Sequence, residues 1–396
     1  MPEANRQSKP VIPVTIVTGF LGAGKTSLLN RLVRDPALAG TGFIINEFGE
    51  IGIDHLLVEA ADDGIVELSS GCLCCTVRGE LVTTLENFLR GLDNGRIDTL
   101  SRIVIETTGL ADPVPVLATL TAHPYLSLRY AVDGVITVVD AVNGARTLNE
   151  HEEAVKQVAV ADRLVIAKAD LPEGAERLPA LKWRLTALNP GAPLVDAAAA
   201  SPDNLLGSGL YDPATKTADV RRWLNAEAFD AAGEHRHDHD CAGGACDHPS
   251  HHHHGEHHHH HHDEDSRHDG VSAFSLVSDN ALPAGALEMF LELLRAAHGP
   301  KLLRLKGVVR LAEDPDRPLV VHAVQELFHP PVRLPAWPDA DRRTRLVFIT
   351  RDLAEDEVKR LFDAFAGVLA PDTPDRRAMT DNPLALAGFT PPSQRT

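Results

Sequence analysis

Apolar residues in this chain fall into continuous β-branched runs separated by stretches of helical spacing. The runs lie at 11–18 (VIPVTIVT), 42–48 (GFIINEF), 101–109 (SRIVIETTG), 133–141 (DGVITVVDA) and 162–170 (DRLVIAKAD). Runs that do not alternate with polar residues suit strands buried on both faces, as in a parallel sheet covered by helices. Leucines recur at helical spacing in KTSLLNRLVRD, after the glycine-rich turn that follows the first run, and in RGELVTTLENFLRGL at 78–92. This alternation predicts one α/β domain over residues 1–205, with a mainly parallel sheet.

From residue 206 the pattern is lost. One short helical candidate, ADVRRWLNAEAF, precedes a tract in which 15 of the 21 histidines lie between His235 and His268. No core can form there, and residues 206–270 are predicted to be a flexible histidine-rich linker with metal-ligand composition. The tract is internal and interleaved with Asp, Cys and Gly, unlike an expression tag. Ordered patterns return after Gly270. VSAFSLVS alternates like a strand, PAGALEMFLELLRAAHG carries a helical stripe, KLLRLKGVVRLAE, PLVVHAVQELFH and TRLVFIT read as strands, and AEDEVKRLFDAFAGVL reads as a closing helix. Residues 271–396 are therefore predicted to form a smaller α+β domain on a largely antiparallel sheet.

Charge narrows the partners. With 38 basic and 56 acidic residues the formal charge is −18, which argues against a nucleic-acid or anionic-membrane surface. No run approaches the ~20 apolar residues that span a bilayer. The N-terminal run ends in Gly-Lys-Thr with no small-residue cleavage site after it, so a cytoplasmic protein is expected. In that reducing compartment the five cysteines, at 72, 74, 75, 241 and 246, point to metal or catalysis rather than to a disulfide framework.

The segment GFLGAGKT, Gly19 to Thr26, fits the phosphate-binding pattern G-x-x-x-x-G-K-[ST] and sits between a buried strand and a helix, where its mechanism requires. Gly19, Gly22, Ala23, Gly24 and the helix start at Lys25, Thr26 and Ser27 offer backbone N–H groups to phosphate oxygens. Lys25 is expected to reach the β and γ phosphates and Thr26 to place its hydroxyl on Mg²⁺. In IVIETTG, Glu106 at a strand end can hold the magnesium through water, and the amide of Gly109 can meet the γ phosphate. INEFGEIGID, 45–54, falls where a γ-phosphate-sensing loop belongs. In LVIAKADL, Lys168 and Asp170 occupy the lysine and carboxylate positions of the Asn-Lys-x-Asp run that reads guanine in GTPases, with Ala167 in place of the asparagine. Asp170 keeps the discriminating contacts, so GTP is favoured over ATP.

GCLCCTV, 71–77, places Cys72, Cys74 and Cys75 within four positions. Three thiolates from one short loop can bind Zn²⁺ while leaving a coordination position for a further or exchanging ligand. A structural zinc site, inert buried cysteines and a redox pair are the competing readings; the last matches C-x-x-C at Cys72 and Cys75 only if Cys74 is ignored. Imidazoles suit Zn²⁺, Ni²⁺, Co²⁺ and Cu²⁺ alike, so the histidine tract does not name the metal.

With GFLGAGKT, NEFGEIGID, GCLCCTV, ETTGLADP and VVDA in this order, the chain resembles the CobW-type metallochaperone GTPases, including their zinc-regulated branch. The resemblance spans nearly the whole chain. It implies a slow cytoplasmic GTPase, using GTP and Mg²⁺, that binds a transition metal and delivers it to a metal-requiring client protein; zinc is the leading reading of that cargo. It assigns phosphate and magnesium to Gly22, Gly24, Lys25 and Thr26, the magnesium shell to Glu106, and guanine to Lys168 and Asp170. Cys72, Cys74 and Cys75 become metal thiolates, with Glu47 of NEFG as their carboxylate partner and His123 as a weaker candidate. A cobalt-handling GTPase with Co²⁺ as cargo and a passive histidine-rich buffer are the alternatives; homo-oligomer formation is left open.

Overall fold

The computed structural model describes residues 10–45, 65–67, 76–207 and 270–367. Its first sheet has seven strands: β1 (Ile12–Thr18), β2 (Thr41–Ile45), β3 (Ile65–Glu67), β4 (Arg102–Glu106), β5 (Tyr130–Asp140), β6 (Arg163–Ala167) and β7 (Leu194–Asp196). They run in the order β3-β2-β4-β1-β5-β6-β7, and every pairing is parallel. Helices α1 (Lys25–Val33), α2 (Thr76–Asp93), α3 (Val114–Ala122), α4 (Gly144–Glu150), α5 (Glu152–Ala159), α6 (Pro172–Leu188) and α7 (Pro202–Leu205) connect and flank them. The sequence runs that look continuous are continuous because both faces are covered: β2 and β6 are buried at every residue. β1 lies centrally, between β4 and β5, where strand order reverses. That is the switch point at which open α/β sheets leave a crevice at the strand C-termini.

The second sheet contains β8 (Val271–Ser278), β9 (Leu302–Val309), β10 (Leu319–Val324), β11 (Leu327–Phe328), β12 (Val332–Arg333) and β13 (Thr344–Arg351), paired antiparallel. PLVVHAVQELFH, expected as one strand, turns back on itself. Gln325 adopts φ 51°, and β10 pairs with β11 through Val324 and Leu327. Two helices, α8 (Ala284–His298) and α9 (Glu355–Phe365), cover one face. Successive strand residues point to opposite faces, and here both faces are buried. Phe274, Leu276, Leu305, Leu346 and Phe348 pack under these helices with Phe290 and Phe362. Val271, Ala273, Leu303, Val347 and Ile349 face the other way, against Ala154, Val155, Val158, Leu181 and Leu185 of α5 and α6.

That apolar seam between the sheets contains a buried charge cluster. Asp162, just after α5, accepts hydrogen bonds from Arg304 and from Lys306 at 2.8 Å, and Arg304 also donates to the Val160 carbonyl. Burial pushes the Asp162 pKa up, but Arg304 and Lys306 outweigh it and hold the carboxyl below its ordinary value. Burial and the neighbouring Arg304 bring Lys306 down to about 8.

Candidate functional site: the phosphate loop and its neighbours

The site begins with register. β1 pairs with β4 so that Val17 lies opposite Glu106, bringing the end of each strand to the same edge of the sheet. Beyond β1 the chain turns at Gly19, Gly22 and Gly24 with φ of 139°, 71° and 101°, values that glycine adopts without steric penalty. At Gly19 the requirement is also one of space: a Cβ would lie 2.3 Å from the Val138 carbonyl oxygen. Gly24 caps α1 with no side-chain hydrogen bond, so the first-turn N–H groups face the loop, the arrangement that accepts anions at a helix N-terminus.

Lys25 is buried and spans its own loop, its Nζ donating to the carbonyls of Gly19 at 2.8 Å and Phe20 at 3.3 Å. The hydroxyl of Thr26 donates to Glu106 Oε1 at 3.3 Å, so the two side chains expected around magnesium meet. Both offer oxygen donors, the ligand type a hard divalent cation takes. Ala23 is buried and Ser27 exposed on the first turn of α1. Gly109 closes against the loop from the other side, since a Cβ there would lie 2.5 Å from the Leu21 nitrogen. Thr107 fixes the same segment to β1, through its N–H to Val17 O at 3.0 Å and its hydroxyl to Thr18 Oγ1 at 2.8 Å.

The candidate base-binding pair lies after β6. Asp140 and Ala167 are partners in the β5–β6 register, which sets Lys168 beside Asp140. Lys168 has φ 59° and donates to Asp140 Oδ2 at 2.7 Å. The other Asp140 contacts are the N–H groups of Val142 at 2.7 Å and Asn143 at 3.3 Å and the Asn143 amide at 3.1 Å. Burial raises the Asp140 pKa, but these bonds, led by Lys168, hold it below the ordinary value. Asp170 is exposed two residues farther on. The Ala167 methyl is buried, 3.3 Å from where a Gly24 Cβ would stand.

Two residues that motif reading passed over complete the surroundings. Gln157, buried in the last turn of α5, donates its amide to the carbonyls of Gly109 at 3.2 Å and Ala111 at 3.0 Å. Gln325 of the second domain donates to Asp112 Oδ2 at 2.9 Å. A pocket of about 230 Å³ lies between the outer side of the glycine loop and α4–α5, lined by Phe20, Asn143, Arg146, His151, Gln157 and Lys168 among others. Phe20 and His151 stack there with ring centroids 4.4 Å apart. His123 has a local role: its Nδ1 accepts the Leu126 N–H at 3.3 Å and closes the turn after α3.

Glu47, Cys72, Cys74 and Cys75 lie outside the described residues, as does the histidine tract. Among the described residues, no group of three or more His, Cys, Asp or Glu is arranged to hold a metal ion, and no helix is long and apolar enough to cross a membrane.

Two family descriptions match: "CobW/HypB/UreG, nucleotide-binding domain" over residues 13–196, and "Cobalamin synthesis protein cobW C-terminal domain" over residues 271–366. The chain belongs to the CobW family of GTPases. This CobW-family GTPase is 31% identical over 357 residues to the zinc chaperone YjiA of Escherichia coli, covering 90% of this chain and 98% of the relative. It is 38% identical to the zinc-regulated GTPase metalloprotein activator 1 of Schizosaccharomyces pombe over 167 residues, 40% of this chain and 39% of the relative. A zinc-bound triple mutant of the YjiA GTPase, with one glutamate and two cysteines replaced by alanine, superposes with TM-score 0.64 at 27% identity, covering 90% of this chain and 99% of the other. The resemblance stated from the motifs is thereby borne out at the level of family, GTPase class and fold.

Proposed function

We propose that this GTPase is a zinc metallochaperone that loads Zn²⁺ at Cys72, Cys74, Cys75 and Glu47 and passes it to a metal-requiring client, with the nucleotide cycle controlling release. The observation that carries the reading is the edge at which the elements end. β2 stops at Ile45, two residues before Glu47, and α2 starts at Thr76, immediately after Cys75. Because the sheet is parallel, the end of β2 and the start of the helix returning to β4 share the edge that carries the glycine loop, Glu106 and Gly109. The described ends next to Glu47 and Cys75 in sequence, Ile45 and Thr76, therefore lie at the edge that carries the proposed γ-phosphate contacts. The names of its relatives, a zinc chaperone and a zinc-regulated GTPase metalloprotein activator, and the zinc bound in the YjiA structure support zinc as cargo.

Within the GTPase site, the N–H groups of Gly22, Ala23, Gly24, Lys25, Thr26 and Ser27 cradle the phosphates, with the loop opened by Gly19, and Lys25 neutralises them. Thr26 and Glu106 hold Mg²⁺, which supplies charge neutralisation at the β and γ oxygens. Gly109 meets the γ phosphate, and the Lys168 stem and Asp170 carboxylate recognise guanine. The reading places the protein in the cytoplasm. Residues 1–205, 206–270 and 271–396 serve as GTPase domain, metal-capturing linker and client-facing domain respectively.

The test is a competitive metal titration in the GTP-bound, GDP-bound and nucleotide-free states, followed by transfer to candidate apo-clients. Zinc affinity that differs between the GTP and GDP states supports the reading, and equal affinity in all three overturns it. Selection of Co²⁺ over Zn²⁺ would instead favour the cobalt alternative, to which the cobalamin-synthesis description of the C-terminal match gives weight. Deleting residues 235–268 should lower metal stoichiometry while GTP hydrolysis continues; unchanged stoichiometry would remove the capture role.

A further inference from the structure

The segment from Thr107 to Pro113, between β4 and α3, is held by two side chains that belong to neither element. The Gln157 amide has two N–H bonds and directs them to two carbonyls of this segment, Gly109 and Ala111. Gln157 is 1% exposed, so water cannot replace those bonds when the segment shifts. Its own backbone carbonyl accepts the Thr137 hydroxyl at 2.7 Å, which ties α5 to β5. At the other side, Asp112 uses Oδ1 for the Val114 N–H at 3.0 Å at the start of α3, and Oδ2 for Gln325.

Both holds lead to the second domain. Gln325 stands at the tip of the β10–β11 hairpin, where a φ of 51° aims it at Asp112. The helix that carries Gln157 ends at Ala159; Val160, which caps it, has its carbonyl held by Arg304, and Asp162 beyond is held by Arg304 and Lys306. Near its start, Glu152 pairs with Arg351 at 2.8 Å, an exposed contact of small weight. Gly109 is thus connected to the C-terminal sheet along two separate routes, one through α5 and one through Asp112.

We propose that Gln157 and Gln325 are positioning residues that set the Gly109 segment for the γ phosphate, so that GTP occupancy and the seating of the C-terminal domain bias each other. This rests on the proposed reading of Gly109 as a γ-phosphate contact. Coupling of this kind is reciprocal: whatever the C-terminal domain binds more tightly with GTP in place also tightens GTP.

The test uses the full-length protein with Mg²⁺ and compares affinity for a non-hydrolysable GTP analogue with affinity for GDP. Gln325→Asn keeps a residue that tolerates positive φ but is one methylene too short to reach Asp112. It should weaken the GTP analogue about fivefold, the low end of a typical coupling, and leave GDP within about twofold. Adding Asp112→Glu returns the missing methylene from the other side and should restore the preference. Gln157→Leu should lower the same ratio further, with far-UV circular dichroism reporting whether the variant is folded. Equal effects of Gln325→Asn on both nucleotides, or none, overturn the proposal. Gly109→Ala separates the two layers. If it leaves the GTP-to-GDP ratio at the wild-type value, the γ-phosphate reading falls and the proposal with it. If it lowers the ratio while Gln325→Asn does not, the reading stands and the tie to the second domain is refuted.

Discussion

Replacing Asp162 with Asn should be among the most damaging single changes in this fold, while replacing its partner Lys306 with Met should be close to neutral. Arg304 and Lys306 are 4% and 7% exposed, and both bond to the Asp162 carboxylate. An asparagine there keeps an oxygen for the Val135 N–H, which Asp162 Oδ2 accepts at 3.0 Å, so the loss is one of charge. Removing one partner of a buried ion pair costs about 3–5 kcal/mol, because the remaining charges stay desolvated. Lys306 stands differently. Its drop from 10.5 to about 8 means that burial and Arg304 oppose its charge more than Asp162 supports it, by on the order of 3 kcal/mol. Methionine keeps most of the stem and removes that opposition.

The sign of the pH dependence follows. Asp162 titrates lower in the folded chain than in the unfolded one, so its contribution is fully present above the unfolded pKa of about 4 and is lost as pH falls through the lower folded value. The gap between wild type and Asp162→Asn should be flat from about pH 5 to 7 and close only in acid. Lys306 also titrates lower when folded, so between about pH 8 and 10.5 the unfolded chain holds the extra proton and wild-type stability rises with pH. Lys306→Met should not show that rise. Urea unfolding followed by circular dichroism and by tryptophan fluorescence measures both effects, since Trp337 packs against the seam between the sheets. A loss under about 1 kcal/mol in Asp162→Asn, or equal damage from Lys306→Met, would refute the reasoning.

Lys25→Ala should lower GTP hydrolysis by a factor of about 10² to 10³ in a steady-state phosphate-release assay, with the circular dichroism spectrum unchanged. Gly19→Ala should abolish nucleotide binding and lower the melting temperature, because its methyl would stand 2.3 Å from a strand carbonyl at φ 139°; wild-type binding by calorimetry would contradict this. Asp140→Asn removes the ion pair on Lys168 and should raise KM for GTP about threefold to tenfold with little change in kcat, a charge-assisted hydrogen bond being at stake. Since the Asp140 pKa lies below 3.8, its contribution persists above about pH 4 and fades as pH falls through the folded value, so the variant's deficit should be constant from pH 6 to 8.

Strands and phosphate loop were legible because their signals are local. VIPVTIVT followed by GFLGAGKT carries strand, turn and helix start in consecutive residues, and the structure places them so. What sequence could not supply was the other side of each contact. Gln157 sits in an ordinary amphipathic helix, and its partners lie 46 and 48 residues earlier in the chain. Gln325 reads in sequence as part of a strand, and its φ of 51° breaks the run PLVVHAVQELFH into β10 and β11. VVDA was legible as a family signature, yet its carboxylate acquires a task only when register puts Asp140 opposite Ala167 and hence beside Lys168. The pairing of Asp162 with Arg304 and Lys306, 142 and 144 residues away, likewise leaves no local pattern.

Two scales of interaction join the second domain to the first, and the difference explains how one contact can persist while another switches. The apolar seam of Val271, Ala273, Leu303, Val347 and Ile349 against α5 and α6 is built like a core, at roughly 1.5–3 kcal/mol for each fully buried aliphatic side chain, and it contains the Asp162 cluster. The holds on the Gly109 segment are single hydrogen bonds from Gln157 and Gln325, each worth about 0.5–1.5 kcal/mol net, rising to about 3 for the one to a carboxylate. A γ phosphate with its magnesium can outweigh bonds of that size but not the seam. On the proposed reading the C-terminal sheet stays docked through the nucleotide cycle while the segment beside it moves, and the energy passed between them is bounded by those few hydrogen bonds. Together the three bonds set a ceiling of about 6 kcal/mol, and a typical coupling of about 1–3 kcal/mol, roughly fivefold to 150-fold, fits beneath it.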